Sequence, residues 1–162
     1  MTHATIPVNT DPEIPSPAGD ERTITYRISP PIKPADLHAL FLDAGTADSP
    51  VDLKAVLKRA LFYVGAFDGA RLVGFAKVID DGGVHGFLLD PTVSSALRRR
   101  GVGTALVSAC VAEAKKRRIE WLHVDFEPRL APFYQRCGFV PSMAGVMNLK
   151  AEPATGVESP SV

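Results

Sequence analysis

The stretch LRRRGVGTAL, Leu97 to Leu106, constrains this chain more than any other ten residues. Gly101 and Gly103 stand one residue apart, Arg98, Arg99 and Arg100 precede them, and an apolar helical pattern follows. Glycine reaches backbone conformations that side chains resist, so the chain turns sharply there. A strand-like run leads in and a helix leads out, which leaves backbone N–H groups uncovered at the helix's positive end. Such an end suits a phosphate, and three guanidinium groups beside it add charge and forked donors.

Two nucleotide-binding loops are excluded by spacing. A P-loop needs Gly-Lys-Ser/Thr after a four-residue gap, and this turn has neither the lysine nor the gap. A Rossmann fingerprint needs a third glycine at position 106, where Leu106 stands, and belongs to an early β-α-β unit. A helix start with a solvated arginine cluster remains open, and the loop alone does not choose between that and phosphate binding.

The surrounding elements alternate. TITYRIS reads as a strand with Ile24, Tyr26 and Ile28 on one face. KPADLHALFLDAG reads as a helix, with proline in its first turn, Leu37, Leu40 and Phe41 on one side and Gly45 past its end. SPVDLKAVLKRA reads as a second helix, with Ser49 as its expected N-cap and Leu53, Val56 and Leu57 as its buried stripe. LFYVGAF and RLVGFAKVI form a hairpin about DGA, and VHGFLLDPTV adds a strand. Pro91 within it cannot donate to a ladder and therefore marks an edge or a bulge.

After the glycine turn, residues 103–118 form a helix whose apolar face includes Val102, Ala105, Leu106, Ala109 and Cys110. IEWLHVDFE alternates strictly, with Leu122, Val124 and Phe126 on one face and Trp121, His123, Asp125 and Glu127 on the other. A short helix, RLAPFYQRC, ends at Gly138, and FVPSMAGVMNLK reads as two closing strands. The order is mixed α/β, with hairpins first and a strand–helix–strand unit after.

Eighteen basic and eighteen acidic side chains cancel, so no overall field draws the chain to nucleic acid or a membrane, and neither is expected as a partner. Two cysteines, Cys110 and Cys137, without a C-x-x-C spacing, exclude a disulfide framework or a cysteine zinc site and fit a reducing, cytoplasmic location. No metal is expected. Residues 1–20 and 151–162 are rich in proline and small polar residues and read as a disordered leader and tail, leaving 21–150 as one folded domain.

Two segments together carry a family resemblance. RRRGVG, Arg98 to Gly103, matches the R/Q-x-x-G-x-G/A motif of the GNAT (GCN5-related N-acetyltransferase) superfamily, and PFYQRCGF resembles that family's F-Y-x-x-x-G-F segment. The element order resembles the family over residues 22–150. The resemblance implies a single domain with a central, twisted, mostly antiparallel sheet, one parallel splayed strand pair and flanking helices. It implies acetyl-CoA as co-substrate, with its pyrophosphate held by Arg98, Arg99, Arg100, Gly101, Val102, Gly103 and Thr104, and its pantetheine arm paired with Thr92 and Val93. It implies Tyr134 as the acid that protonates the departing thiolate, and an amine on a small molecule or peptide as acceptor. A homodimer is compatible with this reading.

Three departures stand out. Ser95 replaces a proline the family often has before the motif, Glu127 replaces an asparagine, and the strand before the turn lacks the glutamate that often serves as base. The base is therefore sought among His85, Asp90, Asp125 and Glu127, with Asp125 and His85 foremost, or a water chain. The missing glutamate keeps a second reading open, a non-catalytic module that senses acyl-CoA or docks a partner. Lys115 to Arg118 read as a solvated helix end, Cys137 as packing, and Trp121 as packing or a wall of the acceptor cleft.

Overall fold

A computed structural model describes residues 23–46 and 52–149. The elements run β1 (Ile24–Ile28), α1 (Pro34–Ala44), α2 (Leu53–Arg59), β2 (Phe62–Asp68), β3 (Arg71–Asp80) and β4 (His85–Val93), then a 3₁₀ turn (Ser95–Leu97). α3 (Val102–Lys116), β5 (Trp121–Val124), a second 3₁₀ turn (Pro128–Leu130) and α4 (Ala131–Arg136) follow. The strands form one sheet in the order β1-β2-β3-β4-β5; the first four are antiparallel, and β5 lies parallel to β4. The parallel pair is the expected one, because a helix must carry the chain back between strands that run the same way.

The helices cover the sheet on both sides. α3 buries Leu106, Val107 and Cys110 against Val64, Val78 and Leu88 in the larger core. α1 buries Leu37 and Leu40 against Phe67, Leu72 and Phe75 on the opposite face. Pro34 starts α1, and Gly45, at φ +73°, ends it by donating its N–H to carbonyls of the last turn. Asp52 caps α2, its carboxylate accepting from the N–H groups of Lys54 and Ala55 at 3.0 and 3.1 Å. That replaces the expected Ser49 cap, which lies outside the described residues: Asp52 is the acceptor that reaches the first-turn donors. Leu53, Val56 and Leu57 are only half-buried, because this short helix rests on the rim of the smaller core.

Two sequence expectations need correction. The strand read over residues 119–127 pairs only through Trp121–Val124. Pro128 cannot donate to a ladder and opens a 3₁₀ turn, so Asp125, Phe126 and Glu127 leave the sheet. The two closing strands are not formed: residues 139–149 carry no regular secondary structure and are largely exposed. Pro141 and Gly145 interrupt the run, and its apolar residues do not alternate, so no strand face arises to be buried. The leader and tail lie outside the described residues. Among those described, no helix is long and apolar enough to cross a membrane.

Candidate functional site

The site begins where two strands part. β4 and β5 pair only from His85 opposite Trp121 to Leu88 opposite Val124. From Leu89 onward β4 has β3 on one side and, among the described residues, no strand on the other. The ladder to β3 is also broken there: Phe75 faces Thr92 and Lys77 faces Leu89, so Asp90 and Pro91 together oppose Ala76. This is the bulge that Pro91 announced. Asp90 takes φ +54°, a conformation aspartate tolerates better than most residues, and its carboxylate accepts from Lys77 Nζ at 2.6 Å. Among the described residues, the outer edge of Thr92 and Val93 has no strand partner.

The glycine turn closes the end of this gap. Gly101 holds φ +82°, where a side chain would be strained, and Arg99 holds φ +61°. α3 starts immediately after Gly101, and among the described residues no side chain caps the first N–H groups at its positive end. A cavity of about 600 Å³ opens in front of them. Thr92, Val93, Arg99, Gly101, Gly103 and Thr104 form one wall; Leu130, Phe133, Tyr134 and Arg136 form the other. A Cβ added to Gly103 would stand 3.6 Å from Val93 Cγ2 and 3.7 Å from the Phe133 ring. No protein atom excludes it; it would enter the space between the β4 end and α4. The cradle thus fits a phosphate-bearing, extended ligand that approaches the backbone closely.

Within the motif the side chains divide their work. Arg98 borders the cavity, but its guanidinium donates to the Ala44 carbonyl at 2.7 Å, at the end of α1. Arg100 and Val102 do not line the cavity. Val102 is buried in the larger core, and its carbonyl accepts from the Tyr26 hydroxyl at 3.5 Å. Burial pushes the Tyr26 phenol up to about 12, so it remains a donor there.

Tyr134 sits on α4 with 4% of its surface exposed. Phe126 stacks on its ring with centroids 4.5 Å apart, and Phe133 and Phe139 meet it edge-on. Burial above all, and the neighbouring Cys137, push its phenol above the ordinary value of 10.0. A neutral hydroxyl held by three rings is a proton donor with little freedom to wander. Burial likewise raises the thiols of Cys137 and Cys110, which keeps both protonated and unreactive.

The two foremost base candidates do not line this cavity. His85 lies at the start of β4, where Nδ1 shares a hydrogen bond of 2.9 Å with Nε2 of His123. Their rings stack at 5.1 Å, with Phe87 continuing the stack on His123. Asp125 is exposed and follows Val124 directly, at the point where β5 leaves β4. Glu127 is engaged by Arg129, whose hydrogen bond and charge hold its carboxyl below the usual range. Trp121 is 63% exposed beside His85 on the sheet.

Sequence reasoning missed Ala44, Thr46, Leu130, Phe133 and Arg136 as cavity walls. Phe133 and Arg136 lie inside the PFYQRCGF segment three residues apart, on one face of the helix, so helical spacing could have grouped them. Ala44 and Thr46 carry no such mark; only the packing of α1 beside the glycine turn brings them in.

A mixed sheet whose parallel pair parts beside a glycine-started helix is the GNAT-type fold. A model of the acetyltransferase (GNAT) family matches residues 27–139. The chain belongs to this family. It resembles the crystal structure of protein SA2161 from meticillin-resistant Staphylococcus aureus, with 26% identity, TM-score 0.65, and 78% of this chain and 99% of that one covered. It shares its fold with the GNAT family protein SP0256 of Streptococcus pneumoniae, at 22% identity and TM-score 0.69 over 80% of this chain and 99% of that one. It is 43% identical over 49 residues to the tRNA(Met) cytidine acetyltransferase TmcA of Pectobacterium atrosepticum, covering 29% of this chain and 7% of the relative. The chain spans less than half the length of the curated relatives it matches.

Proposed function

We propose that this protein is an acetyl-CoA-dependent N-acetyltransferase acting on an amine of a small molecule or peptide. One observation carries the reading: a single cavity joins the glycine turn, the free edge of β4 and the buried hydroxyl-bearing Tyr134. An uncapped helix start is suited to a pyrophosphate. An unpaired strand edge is suited to the amide-bearing arm of coenzyme A. A buried phenol is suited to a leaving thiolate.

The residue roles follow from these positions. Backbone N–H groups of the turn and the first residues of α3 hold the phosphates, with Arg99 supplying charge. Thr92 and Val93 pair with the pantetheine arm, and a backbone N–H beside the Asp90–Pro91 bulge polarises the thioester carbonyl. The amine nitrogen forms a bond to the carbonyl carbon, the carbon–sulfur bond breaks, and amide and coenzyme A result. One proton leaves the amine and one reaches the sulfur. Tyr134 gives the second. Asp125 takes the first through water, because it stands where the strands part, whereas His85 lies further back and is engaged with His123.

Thiol release from acetyl-CoA, screened over a panel of primary amines, tests the reading. Amine-dependent release supports it. Tight acetyl-CoA binding with no release for any amine would favour the non-catalytic acyl-CoA-binding module instead.

A further inference from the structure

The 3₁₀ turn Ser95–Leu97 joins the free end of β4 to the glycine turn, so its orientation decides where the first N–H groups of α3 point. Leu97 anchors it in the core. Its other end is held from outside the motif. The Asp43 carboxylate accepts the Ser95 N–H at 2.9 Å through one oxygen and the Ser95 hydroxyl at 2.8 Å through the other. One residue on, the Ala44 carbonyl accepts from Arg98 at 2.7 Å. Two successive residues of α1 thus grip both flanks of the turn.

Two features mark this grip as more than incidental packing. Asp43 occupies the last turn of α1, the helix's negative end, where an acid is disfavoured and where α1 has no basic residue. Hydrogen bonds from Ser94 and Ser95 offset that disadvantage and hold the carboxyl below its usual range. The second feature is the departure at position 95. A proline there would have neither the N–H nor the hydroxyl that Asp43 accepts from Ser95. Ala44 lines the cavity and Asp43 does not, so Asp43 acts on the site only through the turn.

We propose that Asp43 is a positioning residue: through Ser95 it fixes the glycine turn in its acetyl-CoA-binding orientation. The proposal rests on the functional reading above and names the device that keeps that cradle formed. Its consequence is a specific kinetic split. Loss of the carboxylate loosens the cradle before binding, while the bound complex still holds the thioester beside Tyr134.

Asp43→Ala and Ser95→Ala, singly and combined, test this by calorimetry with acetyl-CoA, steady-state kinetics and thermal melting. Asp43→Ala, which removes both bonds, is expected to bind acetyl-CoA about tenfold more weakly, and Ser95→Ala, which removes the hydroxyl bond alone, about threefold more weakly. The double variant should be no weaker than Asp43→Ala, since the Ser95 hydroxyl then has no carboxylate left to donate to. KM for acetyl-CoA should rise while kcat at saturation stays within about twofold. Asp43→Asn should recover part of the loss, because its carbonyl oxygen can still accept the Ser95 N–H. Folded variants that bind as the parent does overturn the proposal, as do single losses that simply add. If Asp43→Ala does not fold, Ser95→Ala decides, since it removes only an exposed hydroxyl. A parent that binds no acetyl-CoA overturns the functional reading and this proposal with it.

Discussion

Tyr134→Phe removes one oxygen from a ring that three other rings hold in place. The stack on Phe126 and the edge contacts survive the change, so stability should move little. The ground state should move little as well, because the thioester sulfur carries no charge for the hydroxyl to stabilise. The thiolate that develops as the carbon–sulfur bond breaks does need a proton. General-acid assistance accounts for about 10²–10⁴ in rate, so kcat should fall by roughly 10²-fold or more while acetyl-CoA affinity stays within about threefold. The pH profile supplies an independent readout. The acid works only while protonated, and burial raises its pKa above 10.0, so the parent's alkaline loss should fall above pH 10 and be absent from the residual activity of the variant. Calorimetry with acetyl-CoA, thiol-release kinetics and a melting curve measure the three quantities. Unchanged turnover in a folded variant would refute the assignment and move the acid role to water.

Gly101→Glu should abolish coenzyme A binding in a folded protein, since it adds strain at φ +82° and a negative charge where phosphates sit; undiminished affinity would refute the phosphate cradle. Phe75→Ala removes a fully buried ring from the smaller core and should cost about 3–5 kcal/mol, a melting shift of roughly 10 °C. Thermal denaturation checks this, and a shift near zero would show that α1 and α2 add little to stability. Residues 21–150 alone should fold and melt with the full chain; a clearly lower melting temperature would show that a terminal segment packs on the body.

What the sequence made legible follows from how local each cause is. The glycine turn, Pro34 at the start of α1 and Gly45 at its end act within a few residues, and each marks its element correctly. Alternation located β1, whereas β2 and β3, buried on both faces, were legible as apolar runs joined by the DGA turn. The same alternation overran β5, since Leu122, Val124 and Phe126 keep a common face although Pro128 has already ended the ladder. Residues 139–149 were overread for the opposite reason: they are apolar enough for strands but have no period. The site divides similarly. Thr92, Val93, Arg99, Gly101, Gly103, Thr104 and Tyr134 share one cavity, and all lie in motifs or beside them. Asp43, Ala44 and Thr46 reach that region from about fifty residues away, across a fold that no local pattern encodes.

The gap itself has a cause that can be read from three residues. Two parallel strands stay paired as long as both backbones keep extended geometry and donors at every second position. β4 loses both at Asp90, which turns to φ +54°, and at Pro91, which has no N–H. β5 loses the geometry at Pro128, four residues beyond its last pair at Val124. Neither break alone would open a cavity, because a strand that continued straight could still border its neighbour. Broken on both sides just beyond the Leu88–Val124 pair, the sheet opens at the point where α3 presents its uncapped end and α4 presents Tyr134. The backbone edge, the helix start and the phenol meet because these local interruptions fall at matching heights in adjacent strands.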